Sequence, residues 1–212
     1  LVGCGRIAKR HRELLGFNKI KNASLVAVCD INEKRAKKIS DQFNLPYYID
    51  MDEMMQKQSI DVVSVLTESG NHAKHVINLA KYGKHLVVEK PLALTLSDAD
   101  LMIKTCNEND CKLFIIKQNR FNLPVIKLRQ AYEQGRFGKL VLGTVRVRWS
   151  RNQDYYDQDK WRGTWNLDGG VLTNQASHHI DMLNWIMGDV ESVFAKANTS
   201  LVDIEAEDTA VV

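Results

Sequence analysis

The chain has 212 residues, 44% hydrophobic and 26% charged, enough for one large domain or two small ones with a substantial core. Twenty-nine Lys and Arg against 26 Asp and Glu leave a net charge of +3, too balanced for a surface built to hold nucleic acid or an anionic membrane. No apolar run nears the ~18 residues of a membrane span, no signal peptide is visible, and the four cysteines lack zinc-type spacing, so reduced thiols in a cytoplasmic protein are expected.

From residue 1 to about 117, short β-rich runs alternate with amphipathic stretches. The predicted strands are residues 1–2, 25–29, 47–48, 62–66, 86–88 and 113–116. Between the first two, Ile7, Ala8, His11, Leu14 and Leu15 recur at helical spacing, and further helices are predicted over residues 33–43 and 72–82, with Gly83 as C-cap. Ser97, with Asp100 three residues on, resembles the start of another, continued by residues 99–106. Such alternation implies right-handed crossovers and a parallel sheet covered on both faces.

Beyond residue 117 the pattern changes. A helix is predicted over residues 123–134, and residues 140–149 alternate in the manner of a half-exposed antiparallel strand. A polar, aromatic loop spans residues 150–166, a helix is predicted over 173–187, and strands near 190–197 and 209–212 follow. The expected fold is α/β: a Rossmann-type doubly wound parallel sheet over residues 1–118, then an α+β domain with a largely antiparallel sheet over 119–212. Both ends read as interrupted strands, so the chain is expected to be part of a longer one.

Gly3-Cys4-Gly5-Arg6-Ile7-Ala8 fits G-x-G-x-x-[GA] between a strand and a helix. The first glycine permits a tight turn, the second lets backbone approach a pyrophosphate, and Ala8 allows close helix–strand packing. The following helix N-terminus offers N–H groups and positive dipole to phosphates. Asp30 ends the second strand 22 residues beyond Ala8, where a carboxylate accepts from adenosine ribose hydroxyls and repels a 2′-phosphate. NAD is therefore favoured over NADP, though Asp30 could instead be a plain helix cap. Thr67 closes the fourth strand and His72 opens the next helix, both at the mouth of the same crevice; a capping or packing histidine is the alternative for His72. Glu89-Lys90-Pro91 follows a buried strand, where open α/β sheets bind ligands and where a lysine can handle protons.

G-x-G-x-x-A, the acid after the second strand, Thr67-x4-His72, Glu89-Lys90-Pro91 and the Arg120-Phe121 pair occur in that order. The set resembles the glucose–fructose oxidoreductase / inositol dehydrogenase (Gfo/Idh/MocA) family of NAD(P)-dependent sugar dehydrogenases. Glu68-Ser69 stands where that family usually has Pro-Asn. Residues 169–181 are similar to the family's glycine-rich approach to a helix bearing D-x-x-x-H-x-x-D, with Asn174 replacing the first Asp. Asn174 and His178, four apart, would share one helix face, while the adjacent His179 points elsewhere and has no histidine partner at i, i+4, so no metal site is expected. The resemblance implies NAD as cofactor, held by Gly3, Gly5, Arg6, Ile7, Asp30, Thr67, His72, Glu89 and Lys90. It implies His178 as general base, Lys90 on the same alcohol oxygen, Asn174 on a neighbouring hydroxyl and Glu89 beside the lysine.

Residues 118–124, Tyr155-Tyr156 and Trp161-Arg162-Gly-Thr-Trp165 look most like one bacterial branch, the UDP-N-acetylglucosaminuronate 3-dehydrogenases of surface-polysaccharide synthesis. An anionic nucleotide-sugar substrate would draw on Lys160, Arg162, Trp161 and Trp165, unless the tryptophans are core or interface anchors and Arg162 a surface charge. Arg120 is open between a ligand contact and an ion pair. The alternatives are a dehydrogenase of a free sugar or cyclitol and a non-catalytic NAD-binding regulator. Neither a nucleic-acid nor a membrane partner is expected, and a dimer or tetramer through the second-domain sheet is.

Overall fold

Val2 organises the first half of the molecule: it makes parallel bridges to Cys29 on one side and Val65 on the other. The computed structural model describes residues 1–212, which divide into two units, Leu1–Ile115 and Ile116–Val212. In the first unit β1 (Val28–Cys29) pairs in parallel with β2 (Tyr47–Tyr48), and β3 (Val62–Val65) pairs in parallel with β4 (His85–Val88), which pairs with β5 (Leu113–Ile115). With Val2 between β1 and β3, the order is β2-β1-Val2-β3-β4-β5. The winding direction reverses between Val2 and β3, the switch point at which such sheets open a ligand crevice.

The helices α1 (Ala8–Gly16), α2 (Glu33–Phe43), α3 (Met51–Lys57), α4 (His72–Ala80) and α5 (Leu96–Glu108) connect these strands. Val28 packs in one apolar cluster with Ala8, Ala36, Ile39 and Leu66, while its neighbour Cys29 packs in another with Met54, Val63, Val65, Val76, Leu86 and Met102. Successive strand residues thus feed opposite faces, both of them covered, as a parallel sheet requires. Helix α3 escaped the sequence reading; its signal is Asp50, whose side chain accepts from Glu53 N at 2.8 Å. Helix α5 starts earlier than expected, because the cap is Thr95, accepting from Asp98 N at 3.1 Å, and not Ser97. Helix α4 ends two residues short of the expected bound, with Lys81 as its C-cap, and Gly83, expected in that role, lies two residues further on at φ +65°.

In the second unit a 3-10 turn (Gln118–Phe121) leads into α6 (Leu123–Glu133), followed by α7 (Gln153–Asp157), α8 (Gly170–Asn174) and α9 (Ser177–Met187). Then β6 (Lys196–Asn198) pairs antiparallel with β7 (Thr209–Val211). The strand expected near residues 190–197 shrinks to the three residues of β6, and two further expectations fail here. Residues 140–149 form no strand, since no segment of this unit pairs with their backbone; Val141 and Leu142 are each 84% exposed. The helix expected over 173–187 is broken, because Gln175 N and Ala176 N both turn back to Val171 O, at 2.9 and 2.8 Å, which ends α8 before α9 begins. No helix is long and apolar enough to cross a membrane.

Candidate active site

The glycine loop sits at the switch point. Gly3 has φ +94°, and a Cβ there would lie 2.8 Å from the Leu66 carbonyl carbon and oxygen, so β3 and the loop can approach this closely only over glycine. A Cβ on Gly5, by contrast, would meet nothing within 4 Å: the loop leaves open space beside it. Ala8 is fully buried where α1 meets the sheet, Ile7 at the N-cap offers no side-chain cap, and Arg6 is exposed in the turn. Asp30 accepts from Cys4 N through Oδ2 at 2.7 Å and from Asn32 N through Oδ1 at 2.7 Å, tying the glycine loop to the end of β1. Each carboxylate oxygen keeps a further lone pair for a hydroxyl donor. The cap of α2 is Asn32, accepting from Arg35 N, so the plain-cap reading of Asp30 is set aside. Glycine turn, open cradle, uncapped helix start and carboxylate fit the pyrophosphate and ribose of a dinucleotide. Burial pushes the Cys4 and Cys29 thiols up to about 12, so neither supplies a thiolate beside the loop.

At the ends of β3 and β4 the expected residues gather within the same unit. Thr67 Oγ1 bonds His75 Nδ1 at 2.9 Å. His72 is 1% exposed, with Nδ1 2.8 Å from Pro91 O and Nε2 3.1 Å from Thr67 O. Its expected direct contact with the cofactor is corrected: the ring is sealed between two backbone carbonyls. Glu89 is buried, its Oε1 3.0 Å from His11 Nε2 and its Oε2 accepting from Lys90 N at 3.2 Å. Lys90 itself is half-buried, and its bond to Pro91 is cis.

These buried groups set an acid limit on stability. Burial lowers the proton affinity of His72, outweighing the carbonyls that favour the charged ring, and lowers that of His75 as well. Burial alone would raise the Glu89 carboxyl, but the His11 hydrogen bond and charge outweigh it and hold the group below the ordinary glutamate range. Below pH ~6.5 the unfolded histidines take up protons that the folded ones resist. The Glu89 contribution is present above an unfolded value of ~4.3 and is lost as pH falls through the lower folded one. The signs agree, so the melting temperature should fall steadily from about pH 7 to about pH 5, measured by circular dichroism; a flat profile there would contradict this.

In the second unit Gly169 and Gly170, at φ +83° and +81°, turn the chain into α8. A Cβ on Gly170 would run into the buried Glu207 carboxylate, whose Oε1 accepts from Leu172 N at 3.0 Å. Asn174 ends α8, its side-chain amide donating to Asp168 Oδ1, and the other oxygen of that buried carboxylate accepts from Gly163 N at 2.8 Å. His178 lies in the first turn of α9, 7% exposed, so Asn174 and His178 come from two helices and not from one face of a single helix. His178 Nε2 stands 3.0 Å from Gln118 Nε2. With the amide donating, Nε2 keeps its lone pair and the neutral ring carries its proton on Nδ1. Gln118 was missed as a site residue, although it lies two positions before Arg120 in a stretch already singled out.

The remaining expected contacts have local partners. Arg120 gives both fork nitrogens to Asp181, at 2.7 Å each, and stacks 4.7 Å from the Trp185 ring, the contacts that its ion-pair alternative expects. Burial would raise the Asp181 carboxyl, but Arg120 and Lys117 hold it below its usual range. The Arg162 side chain is 7% exposed, donates to Tyr155 OH at 2.8 Å, pairs with Asp159 at 3.3 Å and stacks on Tyr155 and on half-buried Trp161. His179 packs edge-on against Trp149 at 5.6 Å.

Residues 1–117 match the model of an oxidoreductase family described as having an NAD-binding Rossmann fold, and residues 125–212 match the GFO/IDH/MocA C-terminal domain. The crystal structure of the WlbA dehydrogenase from Bordetella pertussis, in complex with NADH and UDP-GlcNAcA, is 41% identical, with a TM-score of 0.95 over 99% of this chain and 64% of that one. The WlbA enzyme of Chromobacterium violaceum, solved with the same two ligands, is 39% identical with a TM-score of 0.95, covering 99% and 60%. The myo-inositol 2-dehydrogenase of Thermotoga maritima is 35% identical over all of this chain and 63% of its own. The chain thus spans about three fifths of the length of these relatives. Matched in both of its units, and with the doubly wound sheet and glycine loop in place, the chain belongs to the GFO/IDH/MocA oxidoreductase family.

Proposed function

We propose that the protein is an NAD-dependent oxidoreductase that converts the C3 hydroxyl of a UDP-N-acetyl-hexosaminuronic acid, such as UDP-N-acetylglucosaminuronic acid, to a 3-keto sugar. The observation that carries this reading is the likeness, at 41% identity and TM-score 0.95, to an enzyme crystallised with NADH and UDP-GlcNAcA. The residues the chemistry needs are present. When bound, NAD accepts the hydride from the carbinol carbon. The glycine loop and the start of α1 hold its phosphates, and Asp30 its adenosine ribose.

His178 Nε2, which accepts from the Gln118 amide in the unliganded protein, would exchange that donor for the substrate hydroxyl and take its proton. A histidine suits this role at neutral pH, where an ordinary lysine is charged and an ordinary carboxylate is too weak a base. Lys90, fixed at the end of β4, hydrogen-bonds the same oxygen and offsets its developing negative charge. Asn174, anchored by Asp168, orients a neighbouring hydroxyl. The loop of Trp161 and Arg162 supports recognition of the nucleotide end. A cytoplasmic dimer or tetramer, assembled through the second-domain sheet, belongs to the same reading.

The 35% identity to a myo-inositol 2-dehydrogenase favours a second reading, oxidation of a free cyclitol. Turnover of the intact enzyme with NAD separates the two: formation of a keto product from the UDP-uronate and none from myo-inositol supports the first, and the reverse outcome the second.

A further inference from the structure

We propose that His11 and His72 are positioning residues for Lys90, bracing the Glu89-Lys90-Pro91 turn from its two sides. The inference rests on the role given to Lys90 above. A lysine reaches its target through a flexible four-carbon stem, so its aim depends on how firmly its backbone is held. The β ladder stops short of it: the last ladder-like bond is Glu89 N to Val65 O, at 3.1 Å.

Beyond that bond, two imidazoles hold the turn. His11, on α1, meets Glu89 Oε1 at 3.0 Å, and Glu89 Oε2 in turn accepts from Lys90 N at 3.2 Å. The two side chains are 15% and 8% exposed, so water competes little for this bond. On the other side His72, in the first turn of α4, meets Pro91 O at 2.8 Å and Thr67 O at 3.1 Å. A neutral ring has one N–H, and the shorter contact assigns it to Pro91. Planar rings on short stems suit this task, since they leave few rotamers to lose. One consequence is that the helix opening at the glycine loop and the turn carrying Lys90 are joined by one buried hydrogen bond, so the cofactor cradle and the lysine are set in a common frame.

The test uses the intact protein labelled with carbon-13 at lysine Cε, with the Lys90 signal assigned by its loss in Lys90→Arg. In the unaltered protein that signal should stand apart from those of exposed lysines. His11→Ala and His72→Gln should move it toward them. His11→Gln, which keeps a donor near Glu89, and His72→Asn, which keeps one at the Nδ1 position near Pro91, should restore it. In parallel, His11→Ala should lower kcat about 10- to 100-fold with KM for NAD nearly unchanged, and His11→Gln should recover most of the loss. If His72→Gln does not fold, the His11 pair decides alone. An unmoved Lys90 signal together with unchanged kcat in His11→Ala would overturn the brace. If the unaltered enzyme turns over no candidate sugar, the proposed function fails, while the lysine spectra still judge the brace.

Discussion

Lys90→Met is expected to lower kcat by about 10²- to 10³-fold, and His178→Ala by about 10²- to 10⁴-fold, with NADH still bound by both variants. The two losses have different origins. Lys90 leaves the alcohol oxygen without a cation as it gains charge, and this charge exists only on the way to the ketone, so KM for the sugar should change less than kcat. His178 removes the acceptor for the hydroxyl proton. A smaller base added to the medium, such as imidazole, should therefore rescue His178→Ala in part but not Lys90→Met. Neither substitution touches the glycine loop, where the phosphates are held, so fluorescence titration with NADH should give nearly the same affinity for His178→Ala and a modest loss for Lys90→Met, a residue the resemblance also places against the cofactor. Lys90 is half-buried and His178 nearly buried, and a melting curve checks that each variant remains folded. A Lys90→Met enzyme that keeps most of its kcat would remove the lysine from the mechanism.

Gly3→Ala is expected to cost more stability than any other single methyl group added to the first unit, and to abolish cofactor binding with it. The new Cβ would lie 2.8 Å from Leu66 C and O and 3.0 Å from Thr67 N, all of them backbone atoms at the end of β3, and φ is +94°. A side chain could rotate away from such a clash, but a strand cannot. Overpacking and backbone strain together amount to about 2–6 kcal/mol. For a protein of this size that corresponds to a fall of roughly 5–20 °C in melting temperature. Gly5→Ala provides the contrast, since its Cβ would meet no protein atom within 4 Å. It should leave the melting temperature nearly unchanged and still weaken NADH binding, because the methyl would occupy the space through which a phosphate approaches the backbone. Equal stability losses in the two variants would refute the open-cradle reading of Gly5.

How much of this was legible in the sequence depended on whether the determining contacts were local. The strands of the first unit and the glycine loop were readable because a buried parallel strand is apolar throughout and because glycines at a strand–helix turn have few other uses. Helix α2 was placed to the residue, its N-cap Asn32 and left-handed Asn44 both being local signals. Helix α3 was lost because seven residues give too short a pattern for periodicity to register. The strand expected over residues 140–149 shows the converse: alternation is a local property, but a strand exists only where another segment supplies the ladder.

In the site, residue types were legible and their partners were not. Lys90 and His178 could be named from ordered motifs, but nothing in the spacing says that His72 is sealed between two carbonyls or that Asp181 takes the whole fork of Arg120. Gln118 escaped for the same reason: it lies 60 residues from His178 in sequence. The break between α8 and α9 was hidden because Asn174 and His178 keep helical spacing across it.

The central claim is most directly tested by incubating the intact enzyme with NAD and UDP-N-acetylglucosaminuronic acid carrying deuterium at C3. Deuterium recovered in the reduced nicotinamide, together with a 3-keto sugar nucleotide identified by mass, is the predicted result. Deuterium retained at C3 while the enzyme readily oxidises myo-inositol would contradict it.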